Sequence, residues 1–206
     1  MLSRRKYALT GLAAPALFII VYLILSARRV TYYHATKAVS ELGSVDAPFG
    51  WIWNVFGYVV PGILIAIFAV GLFQSMSRSN DRSLPLIGLV LSGLFMSLSG
   101  FFPADMENRR SITSIVHMVS SIGSYIFYLV SAFTSPKLMR QTSFWRSAAM
   151  PSLILVWGTV FFGGWYFVFP ELPGIGQRII FSIYFIWIIL LASKLWQSDS
   201  FKRYMP

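Results

Sequence analysis

Six apolar runs of about twenty residues, divided by short polar connections, decide what this chain can become. Runs of that length cross the hydrocarbon core of a bilayer as helices, which satisfy every backbone N–H and C=O internally where no water is at hand. They are Tyr7–Ser26, Trp51–Gln74, Leu84–Phe102, Ile112–Phe133, Ala149–Phe169 and Ile179–Leu195. The expected fold is therefore all-α: a polytopic membrane protein, one domain over residues 1–206, built as a bundle of six transmembrane helices. Composition agrees, with 56% apolar and 12% charged residues, half the charged share of about 25% in a soluble domain. The first run follows the basic Arg4-Arg5-Lys6, as a signal peptide does. It is too long for a signal core and ends in Ser26-Ala27-Arg28-Arg29, a poor cleavage site, so an uncleaved helix is expected.

Charge sets the expected orientation. Arg4, Arg5, Lys6, Arg78, Arg82, Lys137, Arg140, Arg146, Lys194, Lys202 and Arg203 fall on one side of the alternating spans, with the acids Asp81 and Asp199. Arg28, Arg29, Lys37, Arg109, Arg110 and Arg178 fall on the other, with Glu41, Asp46, Asp105, Glu107 and Glu171. Basic loops stay in the cytoplasm, so both termini are expected there, in a cell membrane such as the inner membrane. The connections carrying SELG, FPAD and ELPG are then extracytoplasmic. Trp145 and Trp196 are expected in an inner aromatic belt, and Trp51, Trp53 and Trp165 in an outer one.

The same numbers exclude functions. The chain has no cysteine, so it has no disulfide, thiolate metal site or cysteine nucleophile. A net charge of +10 is scattered over short loops and does not form the basic patch of a nucleic-acid binder. Membrane lipids are the expected partner, with a homo-oligomer or another membrane protein also open. No phosphate-binding loop, dinucleotide fingerprint or nucleophile elbow is present. GFFPADMENRRSI and YFVFPELPGIGQRII share an aromatic-Pro stop, an acid and an arginine, a likeness best explained by two hairpins meeting one capping problem.

Three features carry chemistry. In the fourth span Ser114, His117, Ser121, Ser124 and Tyr128 recur every three or four residues, on one helical face. Such a stripe must face protein or water, and an ionisable residue inside a span marks a candidate site. Asn54, Gly57, Tyr58, Pro61 and Gly62 share a face of the second span, where Asn54 is expected to pair with that stripe. Gly88, Ser92 and Ser99 form a small packing face on the third. The 24-residue connection Ala27–Gly50 is long where about 2–8 residues are usual. Thr36–Leu42 is expected to form a short interfacial helix stopped by Gly43, folded over the bundle as a lid.

SELGS before an aromatic-Asn helix start, GFFPAD, the fourth-span histidine and GIGQRI together resemble the domain-of-unknown-function 998 family of prokaryotic membrane proteins, over about residues 10–195. The resemblance marks Ser40, Glu41, Leu42, Gly43, Asn54, Gly57, Gly62, Pro103, Asp105, His117 and Arg178. It implies an acid directly before that arginine, where this chain has Gln177. It implies no reaction. Intramembrane hydrolases that hold zinc with histidines and an aspartate are a thinner likeness, since they use more histidines than the two here.

Three functions follow as expectations. The first is binding or transport of a lipid or small amphiphile in an outward polar pocket formed by Glu41, Asn54, Asp105, His117 and Arg178, without a cofactor. The second is a metal-dependent lipid hydrolase with zinc on His34, Asp105 and His117. The third is a structural or accessory subunit whose polar stripe only joins helices.

Overall fold

The computed structural model describes residues 2–76 and 80–201; Arg78, Lys202 and Arg203 of the charge argument lie outside them. Among the described residues there is no strand. Six helices are long and apolar enough to cross a bilayer. We label them α1 (Arg4–Arg28), α2 (Gly50–Met76), α3 (Ser83–Phe101), α4 (Ile112–Arg140), α5 (Ser143–Val168) and α6 (Pro173–Phe201).

Consecutive helices pack side by side, and α6 closes the ring against α1. The core is largely apolar: Ile65, Phe68, Leu72 and Phe73 of α2 and Trp187, Ile188 and Leu191 of α6 are all fully buried in it. Close crossings use missing side chains. A Cβ on Gly62 would strike the Gly93 carbonyl, and one on Gly93 the Gly62 carbonyl, so α2 and α3 touch backbone to backbone there. α2 is α-helical over Gly50–Trp53, widens to a π turn over Asn54–Val59, and resumes as α-helix at Val60.

The helices outrun their apolar cores. α4 continues to Arg140 and not Phe133, α5 starts at Ser143 and not Ala149, and α6 starts at Pro173 and not Ile179. Hydropathy falls at the first charge, whereas a helix continues through interfacial turns whose long basic side chains reach water. Arg178 is thus a residue of the second helical turn of α6, not of a loop. That difference separates the two echoing segments, since Arg110 lies in an exposed loop before α4. Two of the five tryptophans expected in belts are core: Trp53 and Trp145 are 0% and 2% exposed. Belt position depends on which way a residue turns, and a tryptophan near a span end can equally turn inward.

The connection between α1 and α2 does fold back across one end of the bundle, as a strap. Its one helical turn is a 3-10 helix at Val39–Gly43, shorter and later than the expected Thr36–Leu42. Glu41 explains the start: its Oε1 accepts the Ala38 N–H at 2.9 Å. Gly43 is not a left-handed stop, since no glycine here has positive φ. It is needed for contact, because a Cβ there would run into the Asn54 carboxamide and the Trp53 ring.

Candidate functional site

The strap is fastened by a knot of polar side chains around Arg178. Its Nε donates to the Tyr22 hydroxyl at 2.8 Å and its Nη2 to the Tyr32 hydroxyl at 2.7 Å. Its Nη1 donates to the carbonyls of Lys37 and Gly174, at 2.9 and 2.7 Å. Both tyrosine rings also flank the guanidinium, centroids 5.5 and 5.4 Å from its carbon, where the ring quadrupole favours a cation. Tyr32 passes its own proton to the Ala38 carbonyl at 2.9 Å. Burial pushes the Tyr32 hydroxyl above the usual phenol range, against the pull of Arg178, so it stays a neutral donor. His34 Nδ1 meets the Tyr22 hydroxyl at 2.5 Å.

The GIGQR segment reads as the other half of this fastening. A Cβ on Gly174 would strike the carbonyls of His34 and Lys37, so glycine lets the strap lie on α6. Gln177 Oε1 accepts the Val39 N–H at 2.9 Å, a bond that a carboxylate at this position would equally accept. On the other flank Asn54 Nδ2 donates to the Gly43 carbonyl at 2.9 Å, and Val45 N–H to the Ala104 carbonyl at 3.0 Å. Asn54 therefore anchors the strap and does not pair with the stripe of α4. Arg29 and Lys37 pair with Asp46 and Glu41 at 3.9 and 3.1 Å.

Beneath the strap lies a cavity of about 640 Å³, bounded mainly by α4 and α6 and roofed by the strap and the loop before α4. All five residues of the α4 stripe line it. Opposite stand apolar side chains, among them Met96, Ile180 and Phe181, while Glu41, Asp105, Arg109 and Gln177 stand at its strap end. Met118 and Ile122 line it too, and are 55% and 51% exposed on the outer side of α4. Met118 and Ile122 are thus cavity-lining residues that stay half exposed.

His117 is held in one orientation. Its Nδ1 lies 2.9 Å from the carbonyls of both Ser99 and Phe102, the last turn of α3. Carbonyls only accept, so Nδ1 carries the proton and donates to both. The edge of its ring meets Tyr58 of the π turn, centroids 5.9 Å apart at 64°. Nε2 has no protein partner among the described residues, and in the neutral ring it is a bare acceptor.

The structure thus brings three of the five expected ligand-binding residues, Glu41, Asp105 and His117, to one cavity, and puts Asn54 and Arg178 into the strap. It does not bring the three expected zinc ligands together. His34 is on Tyr22, Asp105 Oδ1 accepts the N–H groups of Glu107 and Asn108, and His117 turns to α3. The described residues hold no group of three His, Asp or Glu placed to bind a metal ion. Sequence reasoning missed Tyr22 and Tyr32, and assigned Ser99 to packing alone. A tyrosine near the end of an apolar span is the one signal that was available, and it reads equally well as an interfacial residue.

Fold and site together define a multi-pass membrane protein with a strapped cavity near one end of its helices. The chain belongs to the family described as "Protein of unknown function (DUF998)", whose family model matches residues 12–194. No curated protein and no solved structure matches it.

Proposed function

We propose that this protein binds or transports a lipid or small amphiphile in the strapped cavity, with the strap on the extracytoplasmic side and both termini in the cytoplasm. The observation that carries the reading is the cavity itself. At about 640 Å³ it falls within the roughly 300–1,000 Å³ of ligand sites, with a polar wall on α4 and an apolar wall opposite. On this reading an acyl chain enters from the bilayer past Met118 and Ile122, which line the cavity and are half exposed. The loop-charge bias supports the orientation. The metal-hydrolase alternative gains nothing from the geometry, because His34 is not among the residues lining the cavity.

The test is to purify the protein in a mild detergent and identify retained lipid by mass spectrometry. Wild type is expected to carry a defined amphiphile. Ile122→Trp, which narrows that entry, is expected to lose most of it at an unchanged melting temperature. Equal retention by both, or no lipid above the detergent background, would overturn the reading and favour a purely structural subunit. Orientation is tested by Val45→Cys, a lone thiol in a chain without cysteine at a site 56% exposed. Labelling by an impermeant maleimide from outside is expected, and protection would reverse the topology.

A further inference from the structure

The hydrogen-bond polarity of the cavity wall specifies the ligand's head, an inference that rests on the amphiphile reading above. On the α4 wall the serine hydroxyl protons are already engaged, while the buried Tyr128 hydroxyl has no protein partner. Ser124 donates to the Ser92 carbonyl at 2.9 Å and Ser114 to the Asp105 carbonyl at 3.2 Å. Ser99 donates to the Phe95 carbonyl at 3.1 Å, so in its 3.2 Å contact with Ser121 it accepts and Ser121 is the donor. Nearby Tyr125 gives its proton to the Thr159 carbonyl at 2.8 Å. Ser114 also accepts twice, from Asp105 N–H and Ser111, and is saturated. What remains to a ligand on this wall is mostly lone pairs, on Oγ of Ser121 and Ser124 and on Nε2 of His117, whose proton is fixed at Nδ1 by two carbonyls, with the Tyr128 hydroxyl as an open donor.

A wall of three open acceptors and an open phenol donor is satisfied by groups that both donate and accept, as a hydroxyl does. A phosphodiester or choline head brings no N–H or O–H and would leave those lone pairs unmatched, which is costly away from water. An ammonium brings donors, but burying its charge against neutral acceptors carries a desolvation cost. The fixed charges at the strap end do not offset that cost, since Glu41 is already paired with Lys37, Asp105 Oδ1 accepts the Glu107 and Asn108 N–H groups, and Arg109 is exposed to solvent. We propose that the cavity takes an amphiphile with an uncharged, hydroxyl-bearing head, an alcohol or polyol lipid, whose O–H groups donate to His117 Nε2 and to Ser121 and Ser124.

Native mass spectrometry tests this in an amine-oxide detergent, whose head donates no hydrogen bond. Three oleyl-chain probes are compared on wild type: monooleoylglycerol, its di-O-methyl ether, and oleyl phosphocholine. Monooleoylglycerol is expected to bind about tenfold more tightly than the ether, the worth of one to two hydrogen bonds. Oleyl phosphocholine should fall with the ether. In His117→Asn, whose amide N–H takes the place of Nδ1–H while Nε2 is lost, the preference should shrink to about twofold or less. Hydroxyl and ether probes bound equally by wild type, or phosphocholine bound best, would overturn the head-group assignment and leave the amphiphile site standing. Failure of all three probes to bind, or binding unaffected by Ile122→Trp, would overturn the amphiphile reading and this inference with it. The wild-type comparison decides even if the His117 variant does not fold.

Discussion

The Arg178 knot and the His117 wall are both polar clusters near the same end of an apolar bundle, and they are built to opposite rules. Around Arg178 the donors find protein acceptors: Tyr22, Tyr32, Lys37 and Gly174 receive its N–H groups, and Tyr32 passes its proton to Ala38. Around His117 one nitrogen is doubly engaged and the other faces a cavity with no partner. A cluster that satisfies itself is a fastening. A cluster that leaves acceptors open is a place for something else to bind.

Breaking the fastening should cost stability and little else. Arg178→Leu removes a charge held by four hydrogen bonds and two rings. It is expected to lower stability by about 2–4 kcal/mol, from several hydrogen bonds at about 1 kcal/mol each, seen as a fall in melting temperature in detergent. Gly43→Ala, which drives a methyl into Asn54 and Trp53, should cost about 2 kcal/mol by overpacking. Tyr32→Phe loses the bond to Ala38 and the acceptor of Arg178 Nη2, and should cost about 1–2 kcal/mol. If the two clusters are as different as they look, lipid retained per folded molecule stays at the wild-type level in Arg178→Leu and Tyr32→Phe. A parallel loss of lipid in both would merge the two regions into one site.

The smallest effect is one of pH. The Ser44 hydroxyl foremost, with Arg29, holds the Asp46 carboxyl below its usual range on the solvent side of the strap. Its folded value is the lower one, so the stabilisation is present above the unfolded carboxylate pKa of about 4 and is lost as pH falls through the folded value. A shallow fall in melting temperature should appear in acid and shrink in Asp46→Asn, with the exposure of Asp46 keeping it small. Identical acid profiles for the two proteins would remove Asp46 from the strap's account.

The bundle was legible from hydropathy because lipid leaves helices as the only answer to an unpaired backbone. The stripe on α4 was legible for the same reason, and all five of its members face the cavity. The strap was legible as a long connection with Gly43 near its turn, but its attachments were not. Arg178 and Asn54 have the residue types of a ligand site, and only the fold reveals that their partners are backbone carbonyls and tyrosines far away in the chain. The motif residues of SELG and GIGQR accordingly carry the strap: Glu41 caps its turn, Leu42 is 2% exposed, Gly43 makes room for the Asn54 carboxamide and the Trp53 ring, Gly174 admits the strap's backbone carbonyls, and Gln177 holds Val39.

The most direct test of the open wall is a cryo-electron microscopy map of the protein in lipid nanodiscs. The account predicts elongated density in the cavity, entering past Met118 and Ile122, with a ligand atom within about 3.2 Å of His117 Nε2, the reach of a hydrogen bond. A cavity closed by its own side chains, with His117 Nε2 bonded to protein, would contradict it.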